Sequence, residues 1–260
     1  MNILCVGDVV GAPGRRILKA AIPRLRQEHR LQAVIVNAEN AASGSGITPA
    51  LAEEIFKYGV DAITLGDHVW DQKEFPPYLN RGHPIVRPAN LHASVPGRGW
   101  CTVPTEYAPI HVVSLLGRIF MDPPCDNPFA AIDALLQGPL PRNGIVLVDF
   151  HAEATSEKVC MGWYLDGRVA AIVGTHTHVQ TSDARVLPKG TAYLTDLGMT
   201  GPRDSVIGRD IAPVTRRFVT GMPSRFEVPS TSAVLEGALI DIDHLTGKAR
   251  AITPLRLLEP

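Results

Sequence analysis

Four cysteines in 260 residues, Cys5, Cys101, Cys125 and Cys160, make no C-x-x-C pair. That spacing excludes a zinc ribbon and a redox dithiol, and leaves reduced, mostly buried thiols as the expected state. Long apolar runs are equally scarce. Stretches such as Ala33 to Val36 and Ile145 to Val148 are far too short for a membrane helix, and the N-terminus enters a strand-like segment without a signal-peptide pattern. A soluble, cytoplasmic protein with no membrane partner is the expectation. An excess of one charge sign is missing as well: Lys and Arg number 25 against 26 Asp and Glu. No broad basic surface is available for a stable nucleic-acid complex.

Several nucleotide and hydrolase anchors are absent too. Gly7, Gly11 and Gly14 follow the first strand-like run without the G-x-G-x-x-G spacing, and Asp8 would repel a pyrophosphate. No G-x-S-x-G elbow and no P-loop occurs. His151 opens an HAEAT segment, but Thr155 stands where a zincin helix needs its second histidine.

What the chain does have is an α/β rhythm. Asn2 to Gly7 is apolar, Gly14 to His29 amphipathic, Ala33 to Val36 apolar again. Thr48-Pro49 predicts a helix start with threonine as N-cap, and Gly59 stops that helix before a strand over Ala62 to Leu65. A Pro-rich middle, Pro76 to Pro109, reads as a crossing between sheets. The rhythm then resumes with a strand at Ile110 to Leu116, a helix at Pro128 to Leu136, a strand at Gly144 to Phe150, a helix at Glu153 to Tyr164 and a strand at Val169 to Val173. Thr191 to Thr195, Ser232 to Asp243 and Ala249 to Leu255 are strand-like. Strands at both ends of the α/β region predict two face-to-face sheets with helices outside, in one domain over residues 1–260. Gly198 to Gly208 reads as a mobile loop.

Five motifs sit where strand-like runs stop: GDVVG from Gly7, NAEN from Asn37, GDHVWD from Gly66, DFHAE from Asp149 and GTHTH from Gly174. In an open α/β sheet the ligand crevice lies beyond the carboxyl ends of the strands. Those ends would deliver Asp8, Glu39, Asn40, Asp67, His68, His151, His176 and His178 to one place. Acids and imidazoles in that number are the ligand set of a two-metal hydrolase, in which metal makes hydroxide from water and neutralises phosphate charge.

Glu39 is expected to bridge, with Asp8 and His178 on one metal, Asp67, His151 and His176 on the other, and Asn40 adding a neutral oxygen. In a continuing strand His176 and His178 would point to one side and reach neighbouring metals, and a loop could do likewise. His68, next to Asp67, would turn away from the ion in extended backbone and serve as general acid, with a further ligand as the alternative. For His29, His83, His92, His111 and His244 a packed or surface role is preferred, because lone histidines are more often that than ligands. Trp70 and Asp71 are given no chemistry, the first a buried indole, the second an N-cap or a carboxylate holding a ligand from behind. Asp149 either fixes a ligand histidine's tautomer or faces away. Backbone amides around Ser43 to Gly46 and Thr200-Gly201 are expected to cradle the anion.

GDVVG, NAENAASG, GDHVWD, MGWYLDGRVAAIVGTHTHVQT, LTDLGMTGP and DSVIG, in that order, resemble the YmdB-like branch of calcineurin-like metallophosphoesterases, which are 2',3'-cyclic nucleotide 2'-phosphodiesterases. The resemblance covers nearly the whole chain. It implies a four-layer α/β/β/α sandwich with two packed mixed sheets, two metal ions per subunit, iron or else manganese or zinc, and a homo-oligomer. It also implies Asp8, Glu39, Asn40, His151, His176 and His178 as ligands and His68 as proton donor. Where the branch generally has asparagine this chain has Asp67, a carboxylate that adds one negative charge to the site.

The expected activity is hydrolysis of nucleoside 2',3'-cyclic phosphates to 3'-nucleotides by a hydroxide bound to the metal pair. A broader phosphatase or phosphodiesterase on the same centre, and a regulatory protein holding metal or nucleotide with little turnover, stay open as alternatives.

Overall fold

The computed structural model describes residues 1–259. The chain runs through β1 (Asn2–Val6), β2 (Asp8–Val9), α1 (Gly11–Glu28), β3 (Leu31–Asn37), α2 (Pro49–Phe56), β4 (Ala62–Thr64), α3 (Phe75–Tyr78) and β5 (Ile85–Val86). It then forms β6 (Trp100–Val103), β7 (Ile110–Leu116), α4 (Pro128–Gln137), β8 (Ile145–His151), α5 (Thr155–Leu165) and β9 (Ala171–Thr175). β10 (Arg185–Val186), β11 (Ala192–Leu194), β12 (Met199–Pro202), α6 (Ile211–Thr220), β13 (Ala233–Ile242) and β14 (Ala249–Leu258) complete it.

Two mixed sheets result. One has the order β2-β12-β13-β1-β3-β4-β5 with β14 also on β13, and the other the order β10-β11-β9-β8-β7-β6. β1, β3, β4 and β5 are parallel, as are β7, β8, β9 and β11. Their carboxyl ends therefore face the same way within each sheet.

Side-chain alternation along the central strands builds the layers. In β1, Ile3 and Cys5 enter the core shared with the second sheet, while Leu4 and Val6 enter a separate core with Leu18, Ile22 and Leu25 of α1. In β9, Ala171 and Val173 meet the first sheet, and Ile172 packs with Met161 and Leu165 of α5. Strands buried on both faces read as continuous apolar runs, as these do. The expected four-layer α/β/β/α sandwich is the observed architecture. No helix among the described residues is long and apolar enough to cross a membrane.

The helix caps follow local chemistry. Thr48 accepts the Leu51 N–H at 3.3 Å with Pro49 at the first helical position, and Asn127 does the same for Phe129 ahead of Pro128. The Pro-rich middle carries the chain from β5 in one sheet to β6 at the edge of the other, with bridges Val86 to Arg98 and Pro88 to Ser114 on the way. The helix expected from Glu153 begins at Thr155.

One expectation is corrected. Gly198 to Gly208 is not a loop throughout: Met199 to Pro202 form β12, wholly buried, with Met199 and Thr200 paired to Asp8 and Val9 and Gly201 to Val234. Glycine and proline here allow close strand contact; a Cβ on Gly7 would strike the Gly198 carbonyl.

Candidate metal centre

Strand ends bring the motif residues together. Asp8 begins β2, Glu39 and Asn40 follow β3, Asp67 follows β4, His151 ends β8, and His176 and His178 follow β9. Single ligand atoms of Glu39, Asp67, His151 and His176 lie within 4.8 Å of one another. His151 Nε2 is the hub, 2.9 Å from Asp67 Oδ1, 3.0 Å from Glu39 Oε1 and 3.1 Å from His176 Nδ1. A second group adjoins it. His178 Nε2 is 3.7 Å from Asp8 Oδ1 and 3.3 Å from Asn40 Nδ2, which is itself 3.2 Å from Glu39 Oε1. Turning the Asn40 amide over would present its oxygen at the same position, since its two ends are nearly isosteric.

Each imidazole is oriented by its other nitrogen, which leaves the facing nitrogen its lone pair. His151 Nδ1 donates to Thr175 Oγ1 at 2.9 Å, and Thr175 donates to Asp149 Oδ1 at 2.7 Å. Asp149 also accepts from Thr64 at 2.5 Å and Asn37 at 3.1 Å. It holds His151 through Thr175 and does not face away. His176 Nε2 donates to Glu153 Oε2 at 3.2 Å, and His178 Nδ1 to the Ile207 carbonyl at 2.9 Å.

The electrostatics fit cations. Asp8, Glu39 and Asp67 contribute a formal −3, and their ion-pair partners among the described residues are imidazoles alone. Asp8 Oδ1 is buried with no hydrogen-bond donor, while Oδ2 takes the His176 N–H at 3.1 Å. Such an orphan carboxylate oxygen is costly unless a cation meets it. Burial opposes the charged form of both His151 and Asp67, yet the attraction between carboxylates and imidazoles dominates. Glu39 and Asp67 hold the His151 imidazole well above its usual value, and hydrogen bonds from His151 and His176 hold the Asp67 carboxyl well below the usual carboxylate range. One proton on Nε2 cannot serve two carboxylates and a neighbouring lone pair. Metal ions can.

Local backbone differs from the extended expectation at Asp67 and His68, and takes the loop alternative at His176 and His178. Asp67 and His68 lie in a 3-10 turn, Asp67 to Trp70, and not in extended chain. His68 still turns away from the hub. Its Nδ1 is 2.8 Å from Asp71 Oδ2, which also accepts from Ser45 Oγ, and its N–H is 3.2 Å from Glu39 Oε2. Burial lowers the His68 imidazole, but Glu39, Asp67 and the bond to Asp71 together raise it. β9 ends at Thr175, so His176 and His178 are reached by a bend with φ of +98° and +63°. Such φ values cost energy in non-glycine residues and persist where surroundings enforce them.

Gly66 shows why a glycine precedes Asp67: a Cβ there would overlap the His151 ring and the Glu39 carboxylate. The expected anion cradles are not free. Gly44 and Ser45 N–H groups go to Asn40 and Ala42 carbonyls, and Thr200-Gly201 belongs to β12. Among the five histidines given packed or surface roles, buried His111 bonds Thr102 and the Asn143 carbonyl. Asp71 does have a part, as the His68 partner. Thr175, Glu153 and Asp71 stood inside the strand-end motifs and Asp196 inside LTDLGMTGP; Ser45, Thr64 and Lys158, which lie outside them, had no spacing signal.

Known proteins resemble the chain over nearly its whole length. The YmdB-like protein family matches residues 4–255. The 2',3'-cyclic-nucleotide 2'-phosphodiesterase of Bacillus subtilis (strain 168) is 47% identical over 249 residues, covering 96% of this chain and 94% of that protein. A crystal structure of a hypothetical protein from Thermus thermophilus superposes with a TM-score of 0.94 at 42% identity, covering 100% of both chains. That of a novel phosphatase from Mycoplasma pneumoniae gives 0.93 at 36% identity, covering 99% of this chain and 93% of that one.

Proposed function

Because the chain belongs to the YmdB-like protein family, we propose that it is a phosphodiester hydrolase that opens nucleoside 2',3'-cyclic phosphates to 3'-nucleotides at the centre formed by its strand ends. The observation that carries this reading is the convergence of Glu39, Asp67 and His176 on His151 Nε2 beside the orphan oxygen of Asp8. Two cations, iron or else manganese or zinc, would be held by Asp8, Glu39, Asn40, Asp67, His151, His176 and His178. Cations there supply charge neutralisation for the phosphate and a water of lowered pKa.

The protein's own part is orientation and proton delivery. Nδ1 of His68 donates to Asp71, so the Nε2–H of the imidazolium is free to meet the leaving oxygen. As water oxygen bonds to phosphorus its proton passes to solvent, the P–O2' bond breaks, and His68 gives its proton to O2' and regains one from solvent. Thr175, Glu153 and the Ile207 carbonyl keep the three other imidazoles in the tautomers that face inward.

A substrate panel tests this: 2',3'-cyclic AMP, 3',5'-cyclic AMP and a phosphomonoester, offered to metal-loaded protein with product identification. The expected result is turnover of the 2',3'-cyclic ester to the 3'-nucleotide. Bound metal with no turnover of any panel member overturns the reading. The naming of the Mycoplasma pneumoniae relative as a phosphatase supports a broader second reading, which monoester turnover would favour.

A further inference from the structure

A cleft of about 710 Å³ opens directly beside the centre, and it shares Asp67 and His68 with it. That size lies within the ~300–1,000 Å³ of small-molecule sites. Trp70, Leu91, Val95 and Pro123 supply apolar walls, from three separate segments of chain. Trp70 and Val95 are half-buried and pack on the core beneath the first sheet's outer face, so the walls are held from behind.

We propose that this cleft seats the nucleobase of the substrate, against Trp70, Leu91, Val95 and Pro123. The inference rests on the function proposed above and adds where the non-reacting part of the molecule lies. Its reason is covalent. The oxygen that His68 protonates is O2', attached to C2', and C2' is bonded to C1', the carbon that carries the base. A leaving oxygen beside His68 therefore holds the base within a few ångströms of His68 as well. The concave apolar surface that His68 itself borders is this cleft. Flat aromatic bases gain from such walls both by loss of water and by stacking on an indole. Binding energy from this remote group would be felt by ground state and transition state alike, and so appear in KM.

The test compares adenosine 2',3'-cyclic phosphate with 1-O-methylribose 2',3'-cyclic phosphate, which keeps the reacting ester and lacks the base. Wild type should favour the nucleotide by about tenfold or more in kcat/KM, the scale on which apolar pockets discriminate. Val95→Trp, which fills the cleft, should remove that preference through KM with kcat nearly constant, and leave the base-free ester within about twofold. Pro123→Phe, on another wall, should act alike, and covers the case in which Val95→Trp does not fold. Equal handling of the two esters by wild type, or variants that slow both alike or neither, overturns the base seat while leaving the function standing. Turnover of neither ester by metal-loaded wild type overturns the function and the seat with it.

Discussion

Lys158 Nζ lies 2.6 Å from Asp196 Oδ2, and both side chains are buried. The ammonium also donates to the Thr175 carbonyl at 2.7 Å, while Asp196 Oδ2 takes the Thr177 N–H at 3.1 Å and its hydroxyl at 2.8 Å. The pair thus grips the chain on each side of His176, where φ is left-handed. Breaking a buried ion pair strands the remaining charge and costs about 3–5 kcal/mol. Lys158→Met is expected to lower the unfolding temperature by on the order of 10 °C and to reduce metal content. Calorimetry and metal analysis check both. Unchanged metal content in the destabilised variant would separate the pair from the centre.

Asp67→Asn removes one of the three negative charges, taking the acids Asp8, Glu39 and Asp67 from −3 to −2. The variant is expected to lose metal to a chelator faster than wild type, because an amide oxygen is the weaker donor. Identical metal retention and an identical pH profile would show that the extra carboxylate has no consequence.

His68→Ala is expected to lower kcat by about a hundredfold or more with metal content preserved. Asp71→Asn tests the pH dependence. The His68 imidazole is raised above its usual value, against burial, by Glu39, Asp67 and Asp71. A general acid works while protonated, so activity is lost as pH rises through its pKa. Removing the Asp71 charge lowers that pKa, and the alkaline fall in kcat should move to lower pH. A shift to higher pH, or none, would contradict the assignment.

Gly66→Ala places a methyl where the His151 ring and the Glu39 carboxylate lie. The His151 ring and the Glu39 carboxylate would have to move from the positions in which they meet, so loss of bound metal is expected, together with a lower unfolding temperature. Full metal content by elemental analysis would refute the packing argument.

Glu259 ties the C-terminal end to α1 through Arg16, at 2.6 Å. The hydrogen bond from Arg16 holds its carboxyl down to about 2. A depressed carboxyl contributes stability that is present above its unfolded value and lost as pH falls through its folded one. Glu259→Gln should therefore lower the unfolding free energy slightly at pH 7, by at most ~1 kcal/mol for so exposed a pair. The difference should shrink as pH falls toward about 2 and vanish below it.

The layers were legible in the residue pattern, because burial on both faces imposes long apolar runs and exposed helix faces impose a periodic one. β1, β3, β8 and β9 announced themselves this way, and Thr48-Pro49 marked a cap by local chemistry alone. Which side chains meet was legible too, since parallel strands put Asp8, Glu39, Asp67, His151 and His176 at ends facing one way. How they meet came from the folded chain. The bends that carry His176 and His178, the Thr175 relay to Asp149, the Lys158 and Asp196 grip, and the Ser45 to Asp71 contact join residues far apart in the chain, and no local spacing encodes such pairs. β12 was hidden for the same reason: a short strand rich in glycine and proline is stabilised by its neighbours β2 and β13, not by its own propensity.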